Sequence, residues 1–249
     1  MVYQSLLRAG AIALALCALS ASNLTAAPPA KFNDAQRTEI GQIVHDYLIE
    51  HPEVLVEAMN ELQAKEEAAA KARVADILKS KPNDVYNDGY SFVAGNPKAQ
   101  VTLVEFFDYN CAYCRKAFDK MMTLAAANSK VRFVFKEYPI LSPESESAAK
   151  AAMAAARQGK YLQFHRGLMS YPGHVNDHAI DEVAKKVGLD LNRLHKDMKD
   201  PKIAANIEAN HRLAQDLAID GTPSFIVGDQ VLGGWSESEL NDLINGKRS

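Results

Sequence analysis

Two cysteines, Cys111 and Cys114, are the residues in this chain best placed to do chemistry. They follow the run Val101 to Phe107, which is apolar and β-branched and lacks a helical period, so it predicts a buried strand. Asp108 and Asn110 are turn and N-cap formers, and Arg115, Lys116, Ala117 and Phe118 make a good helix start. Strand, tight turn and helix then place Cys111 at a helix N-terminus. Unpartnered N–H groups and the positive end of the helix dipole stabilise a thiolate there. A thiolate is the species that attacks disulfides. Cys114, one turn further in, is placed to resolve the mixed disulfide by attacking Cys111. Zinc would need further ligands, and no second cysteine pair exists. A structural disulfide gains from closing a long loop, and this ring is very small. The pair therefore points to thiol–disulfide redox chemistry.

The rest of the chain has to position that pair. Its 249 residues allow one elaborate domain, or a domain with an appendage, and 47% hydrophobic residues are ample for a core. A net charge of −3 with no basic block argues against nucleic acid as a partner. Residues 1–27 read as a secretory signal peptide: Arg8 near the start, the apolar stretch Ala9 to Leu19, then a small-residue end near Ala26 and Ala27. That stretch is too short to span a bilayer comfortably. Removing it removes Cys17 and leaves Cys111 and Cys114 as the only thiols. A protein exported to the periplasm with one C-x-x-C and no other cysteine is not stapled, and its thiols are available for exchange.

Residues 28–80 read as a helical oligomerisation segment and linker. Asn33 and Asp34 can cap a helix whose apolar face is Ile40, Ile43, Val44, Tyr47 and Leu48. His51-Pro52 interrupts it, and Pro52 opens a second helix running from Glu53 to about Lys79. The middle of that helix is charged and alanine-rich, which reads as a stalk. Residues 31–80 would then pair with other copies of the chain in a dimer or trimer; the heptad is too irregular to give the number.

Residues 81–249 form the second part. Lys81 to Gly89 reads as a linker and Ser91 to Ala94 as a short edge strand. The strand to Phe107, the cysteine helix and the alternating strand Val131 to Lys136 make a right-handed crossover. Residues 142–218 are helical throughout. A strand from Thr222 to Val227, a turn at Gly228-Asp229, a strand from Gln230 to Leu232 and a helix capped by Ser236 and Glu239 close the chain. The fold class is α/β: a thioredoxin-type sheet with an inserted helical subdomain, preceded by the stalk.

With Cys111-Ala-Tyr-Cys114, this element order and Gly221-Thr222-Pro223 in view, the chain resembles the DsbA family, and within it the oligomeric ScsC-like branch. The segment His45 to Ala58, H-D-Y-L-x-x-H-P-E-V-L-x-E-A, resembles that branch's N-terminal oligomerisation segment. The resemblance implies that Cys111 is the nucleophile and Cys114 the resolving thiol. It implies that Thr222–Pro223 is a cis peptide facing them, with backbone free to pair with an extended client. It also implies that Glu105 assists proton transfer to and from Cys114. Glu105 lies in an apolar strand, where a carboxylate needs a partner, and Lys136 is the candidate.

The expected activity is thiol–disulfide exchange on cysteine-containing exported proteins, isomerase-leaning, with a membrane redox partner for recycling and no cofactor or metal. Ala112 and Tyr113 add no positive charge between the cysteines, unlike the histidine of the family's strong oxidants. The alternatives are a dithiol oxidase, and a non-enzymatic chaperone or copper-binding protein. His174 and His178 are candidate ligands on spacing alone, and Trp235 either packs under the last helix or rims the client groove.

Overall fold

The computed structural model describes residues 32–96, 98–127 and 130–246. The signal-peptide reading of residues 1–27 lies outside them. The chain divides into two compact units at Met59 and Asn60.

The first unit contains α1 (Asp34–Glu50) and the start of α2 (Glu53–Ser80). Asn33 caps α1 in a capping box with Gln36, each side chain bonding the other's backbone N–H. Its stop at His51 follows from Pro52, which drives the preceding residue out of helical backbone. No residue of α1 is buried.

The second unit is a five-stranded sheet with helices on both faces. After the C-terminal part of α2 come α3 (Pro82–Tyr86), β1 (Phe92–Gly95), β2 (Val101–Phe107), α4 (Ala112–Ala127) and β3 (Val131–Glu137). The insert follows: α5 (Pro143–Ala156), α6 (Tyr161–Met169), α7 (Asp177–Lys186), α8 (Leu191–Asp197) and α9 (Pro201–Asp216). Then β4 (Ser224–Val227), β5 (Gln230–Gly233) and α10 (Glu237–Ile244) complete the unit. Sheet order is β1-β3-β2-β4-β5, with β2 and β3 parallel and the other pairs antiparallel. The segment read as a linker from Lys81 to Gly89 contains α3, because Pro82 presets the first helical turn. Ser236 stands at the N-cap of α10 but makes no side-chain cap bond, so the capping box read there does not form.

Strand alternation splits the core in two. Leu103, Phe107, Phe133 and Phe135 face α4 and the insert; Val104, Phe106, Val134 and Ile226 face Val74, Leu78, Val85 and α9. The insert packs closely because Gly167 lets α6 approach α7: a Cβ there would fall 2.4 Å from Val183 Cγ1. Among the described residues no helix is long and apolar enough to cross a membrane.

Candidate active site

Register brings the sequence-predicted site residues to one end of the sheet. β2 and β4 pair Phe106 with Ser224, so Pro223 lies beside the C-terminal end of β2, where the cysteine turn begins. The Thr222–Pro223 peptide is cis. Cys111 directly precedes α4 and occupies the capping position that the sequence suggests for Asn110. Its Sγ accepts the Cys114 backbone N–H at 3.3 Å and lies 3.1 Å from the Thr222 carbonyl oxygen, to which a thiol donates.

Both cysteines are free. Cys111 keeps 5% of its surface exposed and Cys114 none. A hydrogen bond from the Cys114 side chain is the largest influence lowering the Cys111 thiol. The Thr222 side chain and the N–H groups of Cys114 and Tyr113 add to it, and together they outweigh burial and bring the thiol down to about 6. Cys114 is pushed far upward, first by burial, then by its bond to Cys111 and by Glu105. The outer sulfur is thus ionised at neutral pH while the inner one keeps its proton.

Glu105 is 2% exposed, and neither carboxyl oxygen has a hydrogen-bond partner among the described residues. Burial, and then the Cys111 charge, raise it to about 8. The expected partner, Lys136, is not its partner. Register pairs Lys136 with Phe106, and one residue along a strand turns the side chain to the other face. There Lys136 is buried against Asp88 and donates to the Asp84 carbonyl oxygen at 2.6 Å. Glu105 therefore stands uncompensated on the cysteine side of the sheet.

The turn before Cys111 is pinned by each of its side chains, which sequence reasoning missed. Asp108, 1% exposed, accepts the backbone N–H groups of Asn110, Ile140 and Leu141 and the Ser145 hydroxyl, at 2.7 to 3.0 Å. Tyr109 donates to Glu137 at 3.2 Å and lies 2.8 Å from His165 Nδ1, while Tyr161 donates to the same Glu137 oxygen at 2.7 Å. With the Tyr109 proton given to Glu137, His165 must carry its hydrogen on Nδ1. Burial keeps His165 neutral, down to about 3, and holds Glu137 well above the carboxylate range. Asn110 bonds both the N–H and the carbonyl of Val175, at 2.7 and 3.1 Å. The only sequence signal for all this is a polar triplet wedged between an apolar strand and a helix.

Beside the cysteines runs a groove of about 410 Å³ lined by Tyr113, Lys116, Thr222, Pro223 and Trp235. Tyr113 is 72% exposed. Trp235 packs edge-on against Phe225 at 5.6 Å, against the core that includes Leu240 and Ile244 of α10, and also lines this groove, so the two readings of it are not alternatives. His174 and His178 lie within 4.0 Å of Glu144 and Glu182 respectively; among the described residues no three potential metal ligands gather.

Residues 102–245, more than half the chain, match the DSBA-like thioredoxin domain. The chain belongs to that family. Residues 36–69 of this DSBA-like protein match the copper resistance protein ScsC N-terminal domain. It is similar to a thioredoxin-like oxidoreductase from Silicibacter pomeroyi, with 43% identity and a TM-score of 0.65 over 67% of this chain and 97% of that one. It is also similar to Proteus mirabilis ScsC in a transitional conformation, with 27% identity and a TM-score of 0.63 over 87% and 98%. A curated relative, Na(+)/H(+) antiporter NhaA 3 of Salinispora tropica, is 31% identical over 137 residues, 54% of this chain and 21% of that protein. The chain thus spans about a fifth of the length of the first curated relatives it matches. The DSBA-like protein has the fold of a thiol–disulfide oxidoreductase.

Proposed function

We propose that this DSBA-like protein catalyses thiol–disulfide exchange on cysteine-containing exported proteins, leaning toward isomerisation. The observation that carries the reading is the Cys111 sulfur at the start of α4, accepting the Cys114 N–H and seated against Thr222–Pro223 beside an open groove, where its thiol is brought down to about 6. Cys111 attacks a client disulfide. Cys114 then attacks Cys111 and releases the client reduced, or the client's own thiol does so and leaves it rearranged. In the mixed disulfide Cys111 carries no charge, so only burial still raises Glu105; its ionised form takes the Cys114 proton as that thiol attacks, and Thr222–Pro223 presents backbone to an extended client. The leader at residues 1–27 delivers the protein to the periplasm, where a membrane redox partner resets the pair.

The isomerase leaning rests on the first unit. Ile40, Ile43, Val44, Tyr47, Ile49, Leu55, Val56 and Met59 are all exposed, a surface suited to pairing with other copies. Several active sites would then act on one misfolded client. The test is insulin reduction and refolding of scrambled ribonuclease, with Cys111→Ala as control. Activity in the wild type alone supports the reading; equal activity in both eliminates it.

A specific observation favours dithiol oxidation as a second reading. A thiolate brought down to about 6 stabilises the reduced form, which makes the disulfide more oxidising. The reduction potential of the Cys111–Cys114 couple discriminates: a value near those of strong oxidants supports oxidation, a low one isomerisation.

A further inference from the structure

Arg115 stands one helical turn after Cys111, and its backbone N–H donates to the Cys111 carbonyl at 3.2 Å. Helical side chains lean back toward the N-terminus of their helix. Arg115 does so, and its Nε donates to the Tyr109 carbonyl at 2.8 Å. Its Nη1 donates to the carbonyls of Tyr171 and Gly173, at 3.0 and 2.6 Å, in the loop between α6 and α7. Its Nη2 is buried and has no hydrogen-bond partner among the described residues. All three hydrogen bonds go to neutral carbonyls and none to a carboxylate. A guanidinium is always charged, so a full positive charge is fixed beside the turn that delivers the reactive sulfur.

Two acidic groups lie within electrostatic reach of that charge, Asp108 and Cys111. Asp108 already has its four donors. Cys111 is different, because its charge comes and goes with the redox state. Reducing the Cys111–Cys114 disulfide takes two electrons and two protons from a client dithiol, and near neutral pH the proton due to Cys111 goes to solvent. The other ionisable groups that act on the sulfur are Cys114 on α4 and Glu105 on β2.

We propose that Arg115 is a positioning residue for Cys111: its guanidinium, strapped to the carbonyls of Tyr109, Tyr171 and Gly173, holds the turn that carries the sulfur and supplies the positive charge that Ala112 and Tyr113 lack. The inference rests on Cys111 being the attacking thiol. The fixed charge favours the dithiol over the disulfide and so makes the disulfide a stronger oxidant. It also makes the insert part of the redox machinery, since two of the three carbonyls belong to the α6–α7 loop.

The experiment compares the wild type with Arg115→Met and Arg115→Lys, all full length and reduced. Alkylation rate against pH gives the Cys111 titration, and equilibration with glutathione gives the redox equilibrium. Arg115→Met is expected to move the titration upward, leaving about tenfold less thiolate at a pH below both midpoints. It is also expected to make the disulfide correspondingly harder to reduce. Arg115→Lys, which returns the charge without the planar fork, is expected to recover most of that loss. If Arg115→Met does not fold, Arg115→Gln replaces it and is read in the same way. A titration in Arg115→Met identical to the wild type overturns the inference, and so does a lysine variant as impaired as the neutral one. These results are separable from failure of the enzymatic reading, which shows as full activity in Cys111→Ala whatever Arg115 does.

Discussion

A carboxyl group with no partner, sealed two residues from the end of a central strand, costs stability whenever it is charged. Glu105 is such a group, held at about 8 by burial and by the Cys111 thiolate. The native state therefore keeps its proton at pH values where the unfolded chain has lost it. Stability from this group is full below the unfolded value near 4.5 and is lost as pH rises to about 8. Glu105→Gln keeps the shape and cannot ionise. The reduced variant should match the wild type near pH 4.5 and exceed it by a few kcal/mol near pH 8 by urea unfolding. Comparing the two proteins at each pH cancels the part of the opposite Cys111 contribution that does not depend on Glu105; its lowered value stabilises the fold as pH rises from about 6 to 9. A constant gap across that range defeats the argument. The same variant should slow release of the client from the mixed disulfide, because Cys114 loses its base, while the first attack by Cys111 proceeds.

Elements fix the site through the turn between β2 and α4, whose three side chains each reach a different part of the fold. Asp108 satisfies the Asn110 N–H of its own turn, the Ile140 and Leu141 N–H groups of the β3–α5 connection and the Ser145 hydroxyl on α5, so Asp108→Ala strands four donors at once. We expect a loss of about 3 kcal/mol in urea unfolding, and a smaller one for Asp108→Asn, which keeps one acceptor oxygen. Equal stability of wild type and Asp108→Ala would show that the pins are redundant. This level of organisation was the least legible in the sequence. Apolar runs and cap residues mark where β2, α4 and β3 lie, because period and capping are local. Which face Lys136 points to is not local: it depends on pairing Phe106 with Lys136, and a shift of one residue reverses it. Apart from the Asp108–Asn110 bond, the side-chain partners of Asp108, Tyr109 and Asn110 are likewise 28 to 65 residues away, so a turn-forming triplet is all the sequence displays. The placement of Cys111 and Cys114 was readable because it is set by their spacing and by the helix start that follows. Thr222–Pro223 was readable through family resemblance, its cis bond being invisible to local pattern.

For the whole molecule, the question is what covers the first unit. Burying one of its large apolar side chains contributes about 1.5 to 3 kcal/mol, and α1 buries none of its own. Copies of the chain are the occupant proposed above, and the cut that tests this has to respect the core. A chain starting at Lys81 would lose Val74 and Leu78, which are buried with Val85 and Leu217. A chain starting at Asn60 keeps them and removes Ile40, Ile43, Tyr47 and Met59. By light scattering the chain from Pro28 should be a multiple of the protomer mass and the Asn60 chain a monomer. The shortened protein keeps Cys111, its turn and the Thr222–Pro223 groove, so it should still reduce insulin at a rate within about twofold of wild type per active site. Refolding of scrambled ribonuclease needs a client to be held while several bonds are exchanged, so that activity should fall at least tenfold. An Asn60 chain that stays oligomeric, or a monomer that reshuffles ribonuclease as well as the full protein does, would remove the basis for assigning isomerisation to the assembly.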